Sequence, residues 1–156
     1  MEPPISDPAP QSDSTPEANL TPNDPPSPPA DLTEAQAARS LELAMAAARV
    51  AKDNHGEEIK VLDMRQATPV FDYFVLVTGK SRRQLHAISE DIDHRLEDDL
   101  GDKRMGIEGY NESRWILLDY GSVVIHIFDA ETREFYALEQ LWNGAVETPL
   151  PWAEEN

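Results

Sequence analysis

The spacing of apolar residues alternates between helical and extended periods along the chain. Leu41, Met45 and Ala48 recur at helical spacing behind Thr33 and Gln36, a pair placed to cap a helix start, and Gly56 after His55 offers a left-handed stop. Residues 59–64 and 72–78 then read as strands, the second apolar on both faces, with Pro69 marking the connection between them. Ser81 and Gln84 repeat the capping pattern ahead of Leu85, Ile88, Ile92 and Leu96, a single apolar helix stripe that ends at Gly101. Residues 106–109 read as a short strand, and 115–120 with 122–128 as a hairpin around Gly121. A last helix starting near Asp129 is expected to turn Phe135, Leu138, Leu141 and Trp142 inward. The order predicts a small α/β domain: a mixed sheet of about five strands flanked by helices.

Strand alternation within 115–120 sets Trp115, Leu117 and Asp119 on one face and Ile116, Leu118 and Tyr120 on the other. Both faces are apolar, so this strand is either covered by helices on both sides or leaves one face open. Three helices are few for five strands. An open apolar patch rimmed by acids would suit a basic protein partner.

Charge and composition divide the chain. The 156 residues carry 13 Lys+Arg against 30 Asp+Glu, a formal charge of −17. Ten of the 13 prolines fall in the first 30 residues, a stretch with no Lys, Arg, Gly or aromatic residue. Such a segment cannot bury enough apolar area to offset its ordering entropy, so residues 1–31 are expected to form a disordered acidic arm, with a domain at 32–144 and a tail at 145–156. Its lack of positive charge argues against a signal or transit peptide, and the expected location is cytoplasmic. Seven acids and no bases precede residue 39, which leaves 13 − 23 = −10 for residues 39–156. A field of that sign opposes broad binding to a phosphate backbone. The absence of Cys excludes disulfides, thiolate metal sites and a cysteine nucleophile. No apolar run reaches the roughly 18 residues of a membrane span.

Three motifs invite a chemical reading. Thr78-Gly79-Lys80-Ser81 stands between a strand and a helix, where a phosphate loop would lie, but the position five residues before Gly79 is Phe74 rather than the required glycine. A strand-to-helix turn with Ser81 as cap accounts for it. Asp91 and Asp93 have the spacing of a magnesium-binding pair, yet two carboxylates two apart on a helix diverge by about 200°. His126 lies mid-strand with Asp72 and Asp119 as conceivable partners, and a sheet histidine satisfied by one hydrogen bond is the simpler reading. His55, His86 and His94 lack metal-ligand spacing, and no serine sits on a nucleophile elbow. Neither an enzyme nor a cofactor is expected. The alternatives are a magnesium-dependent nucleotidyltransferase-like enzyme and a homodimeric scaffold.

A series of short stretches resembles the ribosomal silencing factor S, or Iojap, family. It comprises Val61-Leu62-Asp63, Asp72-Tyr73-Phe74-Val75, Thr78-Gly79-Lys80-Ser81 with Gln84, Ala87-Ile88 and Glu108-Gly109. It continues through residues 115–121, 123–128 and 133–142, so that the matches span about 33–143 in order. The resemblance implies a reduced nucleotidyltransferase-like fold without catalytic acids. It implies binding to the large ribosomal subunit through its ribosomal protein fourteen, which blocks joining of the small subunit and represses translation under nutrient limitation. Trp115 matches the family's strand tryptophan and is the expected anchor, with Leu117, Asp119 and Tyr120 beside it. Glu108 and Asp119 are candidates to meet Lys or Arg, and His126 is placed to orient the face. Few RNA contacts are expected, and the apolar sheet face could instead serve a homodimer. The acidic arm and the tail have no counterpart in compact members.

Overall fold

The computed structural model describes residues 30–154, with side chains from 33 to 152. The expected arm of residues 1–31 therefore lies outside the described residues, apart from Ala30 and Asp31, which open the first helix. Helix α1 (Ala30–Asp53) starts ahead of the predicted cap and takes Thr33 into its body. Its inward stripe of Ala44, Ala47, Ala48 and Ala51 is fully buried, and these small side chains let the helix lie close on the sheet. At its end His55, not Gly56, takes the left-handed conformation (φ 65°). Gly56 is needed for a different reason: a Cβ there would stand 2.7 Å from Val77 Cγ1.

Strands β1 (Glu57–Asp63) and β2 (Tyr73–Gly79) pair antiparallel, and β2 is buried along its whole length. Ser81 caps α2 (Arg82–His94), accepting from the Gln84 backbone N–H at 3.1 Å. The Gln84 side chain donates in turn to the carbonyls of Asn54 and His55, tying the start of α2 to the end of α1. A π-turn at Arg95–Asp99 extends this helix and buries Leu96. Then follow β3 (Gly106–Glu108), β4 (Trp115–Asp119), β5 (Val123–Asp129), α3 (Ala130–Tyr136) and β6 (Val146–Thr148). Among the described residues the sheet has six strands in the order β3-β4-β5-β2-β1-β6, with β2 and β5 the parallel pair at its centre. The sixth strand, beyond the five expected, comes from the segment after residue 145 and pairs antiparallel with β1.

The predicted last helix is shorter than its apolar spacing suggested. Asp129 caps α3 by accepting from the Thr132 N–H at 2.7 Å, but Ala137 turns left-handed (φ 47°) and ends it after two turns. A helix that short has no continuous stripe, so only part of the expected inward set is buried. Leu138 is covered and Trp142 packs edge-on against Phe74, whereas Phe135 and Leu141 point to solvent.

The two sheet faces are covered unequally. Helices α1 and α2 seal one, where Val61, Val75, Val77, Ile116, Leu118, Ile125 and Ile127 have no solvent contact. The other carries Leu62, Met64, Phe74, Leu76, Val124 and Phe128 beneath α3 and the chain that follows it. Trp115 and Leu117 stay half-buried on that side.

Candidate functional site

The site is the end of the less covered face, where β4, β5, α3 and the loop after β3 meet. The β4–β5 turn is set locally: Asp119 Oδ1 accepts from the Gly121 N–H at 2.8 Å, and Gly121 has φ 89°. Register then places Trp115 opposite Phe128 and Leu117 opposite His126. Trp115 and His126 are diagonal neighbours on one face, within reach of long side chains. The indole Nε1–H of Trp115 donates to His126 Nδ1 at 3.1 Å.

That bond fixes the histidine's chemistry. An indole N–H can only donate, so Nδ1 must be unprotonated and the neutral ring carries its hydrogen on Nε2. Burial pushes the His126 pKa down from 6.5 to about 3. The accepted hydrogen bond works in the same direction, because protonation of Nδ1 would break it. Nε2 is itself buried and has no hydrogen-bond partner among the described residues, a cost carried where Phe74 packs edge-on against the imidazole at 4.7 Å. The neutral ring serves to hold Trp115.

Trp115 is further packed by Phe128 at 5.0 Å and Tyr136 at 4.8 Å between ring centroids. It forms a wall of two hollows. One, of about 480 Å³, is lined also by Glu112, Arg114, Glu131, Phe135 and Tyr136. The other, of about 200 Å³, is lined by Glu108, Gly109 and Leu117. Gly109 is required here: its φ is 79°, and a Cβ would stand 2.0 Å from the Trp115 carbonyl oxygen. The loop is held on α2 by His86, whose ring stacks on Tyr110 at 4.1 Å and whose Nε2 lies 2.7 Å from Ser113 Oγ.

The structure thus brings Trp115, Leu117 and His126 together, with exposed Glu108 opposite Leu117 on the rim. Asp119 ends the strand at the far side, its carboxylate engaged by the turn. Tyr120 does not join them. Alternation sends it to the helix face, where it is buried and its hydroxyl donates to Asp93 at 2.8 Å. Phe135 and Tyr136 are the residues that sequence reasoning missed, because helical spacing assigned Phe135 to the core and nothing flagged the stop at Ala137.

The other motifs resolve into structural roles. Asp93 is occupied by Tyr120 and by Arg104 at 3.2 Å, while Asp91 faces solvent. Lys80 pairs with Glu57 at 3.0 Å, and Ser81 caps α2. A third hollow, of about 510 Å³, lies beside Lys60, Arg133 and Glu139. Its buried Arg133 is committed internally, donating to Glu139 at 2.8 Å, to the Glu58 carbonyl and to Thr78 Oγ1. What distinguishes the aromatic face is that its large side chains are held in place yet left accessible.

Comparison with known proteins is decisive on kinship. The sequence model of the family described as "Ribosomal silencing factor during starvation", RsfS, matches residues 37–156. The chain belongs to the RsfS family. It is similar to the ribosomal silencing factor RsfS of Bacillus subtilis, 41% identical over 100 residues that cover 64% of this chain and 83% of that one. It is also 32% identical to the RsfS of Chromobacterium violaceum, covering 72% and 95% of the two chains. The chloroplastic protein Iojap of Arabidopsis thaliana is 34% identical over 76% of this chain and 49% of its own. Crystal structures of proteins from C. violaceum and Bacillus halodurans superpose with TM-scores of 0.64 and 0.60, at 29% and 32% identity. They cover 72% and 69% of this chain, and 92% and 99% of their own. The names of the RsfS relatives denote a regulatory rather than an enzymatic role. The mixed α/β fold is that of the RsfS family, and Trp115, Leu117 and His126 form its half-open face here.

Proposed function

We propose that this RsfS-family chain binds the large ribosomal subunit through ribosomal protein fourteen, using the face around Trp115, and blocks joining of the small subunit. Translation is thereby repressed under nutrient limitation. The observation that carries this reading is the state of Trp115: half-buried, fixed by His126, and shared between two hollows. A preorganised aromatic side chain loses little entropy on docking, and such anchors commonly contribute about 2 kcal/mol or more.

The mechanism is steric. A domain seated on a surface that an intersubunit contact needs excludes that contact without chemistry, so neither cofactor nor metal enters. The −10 charge of residues 39–156 favours approach to a basic ribosomal protein over RNA and keeps direct RNA contacts few. Purified subunits mixed with the chain test the proposal. The fraction of joined ribosomes in a sucrose gradient should fall as the chain is added, with the chain travelling in the large-subunit peak. Unchanged joining at saturating chain would overturn it.

A further inference from the structure

We infer that the junction between the end of α1 and the first turn of α2 is an RNA-contacting surface, on which Lys52, Lys80, Arg82 and Arg83 meet the phosphate backbone of large-subunit RNA. The inference rests on the proposed ribosomal role and adds a contact separate from the aromatic face, on the helices that cover the other side of the sheet.

Charge is unevenly spread over the domain. Residues 49–57 and 80–83 hold five bases (Arg49, Lys52, Lys80, Arg82 and Arg83) and two acids (Asp53 and Glu57), whereas the rest of 39–156 holds eight bases and 21 acids. The fold joins these two stretches into one positive pole. The Gln84 side chain donates to the carbonyls of Asn54 and His55, both at 3.0 Å, and Lys80 reaches Glu57 at 3.0 Å. All five bases are exposed. Both acids are already engaged, Glu57 by Lys80 and Asp53 by Arg49 at 3.5 Å. Arg82 donates to the Asn111 carbonyl at 2.6 Å and Lys52 lies 5.6 Å from the centre of the Trp152 ring, so neither charge is cancelled. Arg83 makes no ion pair among the described residues.

Charge and shape select the occupant. Among the described residues no large apolar side chain is exposed in these two stretches, and none of the five bases lines the three hollows described above. A protein partner finds little to bury on such a surface, since protein interfaces are built round an apolar core. A phosphate backbone needs only positive charge and N–H donors on open ground, and a guanidinium group matches two phosphate oxygens at once. The charge of −10 over residues 39–156 confines RNA contact to this pole.

The test uses the full chain, which has no cysteine, so that Arg83→Cys carries a photo-cross-linker at a single site. Illuminated on purified large subunits, it should attach to RNA. Attachment to a ribosomal protein, to residues 1–29 of its own chain, or to nothing while the chain stays bound would each overturn the inference. Affinity gives a second readout. Lys80→Ala combined with Arg83→Ala alters two exposed side chains, so this variant should melt like wild type yet bind large subunits more weakly. Each lost phosphate contact flattens the fall of log K with log salt by about 0.7–0.9, so an about fourfold rise in salt should shrink the advantage of wild type roughly ninefold. Lys103→Ala removes an exposed base outside the pole and should leave the salt dependence as in wild type. An equal flattening by Lys103→Ala would reveal a general charge effect and overturn the inference as well. A wild-type chain that does not bind large subunits refutes the proposed ribosomal role instead.

Discussion

On strand β4, Ile116 and Leu118 point beneath α1 and α2 with no solvent contact, while Trp115 and Leu117, one residue away in each case, stand half-exposed on the opposite side. The first face is mainly aliphatic, with Tyr73 and Tyr120 among its buried residues, and is closed by a helix stripe of alanines that lets the layers approach closely. The second is rich in aromatics (Phe71, Phe74, Trp115, Phe128 and Trp142) and is covered, among the described residues, by a two-turn helix, the chain after it and the β1–β2 connection at Ala67 and Phe71. Aliphatic side chains packed to crystal-like density give stability but leave nothing for a partner to grip. Large flat rings can rest on a sheet and still offer an edge or a face to a second molecule. One strand thus divides its side chains between holding the fold and meeting a partner, with the alternation of the pleat as the divider.

That contrast can be broken from either side. The largest effect on stability is expected at the closed face: Leu118→Ala should cost about 3 kcal/mol in urea unfolding, since it leaves a cavity under α1 and α2. The affinity of the remaining folded protein for large subunits should not change.

Next comes the buried histidine of the open face. His126 titrates near 6.5 when unfolded and near 3 when folded, so the unfolded chain binds an extra proton between those values. Its contribution is constant above the unfolded value and is lost as pH falls towards the folded one. From pH 7 to 5 wild type should lose about 2 kcal/mol more than His126→Phe, measured by denaturation at each pH. An equal loss in both would mean that His126 is already neutral in the unfolded state or charged in the folded one.

The smallest effect is expected for Tyr120→Phe. It removes the hydroxyl's bond to Asp93 and should cost about 1 kcal/mol with no change in subunit binding. A binding loss there would show that the face assignment is inverted.

The element order was largely readable because capping residues and apolar spacing act locally. Ser81 with Gln84, and Gly121 after Asp119, sit where the structure uses them. Elements fixed by tertiary contact were not readable. The stop at Ala137 carries no glycine or proline to announce it, and Val146–Thr148 is three residues whose strand character comes from β1 alone. At the site, alternation alone placed Trp115 and Leu117 on one face. The Trp115–His126 bond required the β4–β5 register, and the place of Phe135 and Tyr136 beside Trp115 required knowing where α3 ends. The acids Glu112 and Glu131 join it only because a loop and a helix distant in sequence flank the same hollow.

The face around Trp115 is proposed as the docking surface for the large subunit. Co-sedimentation with purified large subunits, comparing wild type, Trp115→Ala and Leu118→Ala at equal folded concentration, tests it most directly. Trp115→Ala should weaken binding by at least about thirtyfold, the equivalent of 2 kcal/mol, while Leu118→Ala should bind like wild type. Equal binding by all three proteins, or a loss confined to Leu118→Ala, would contradict it.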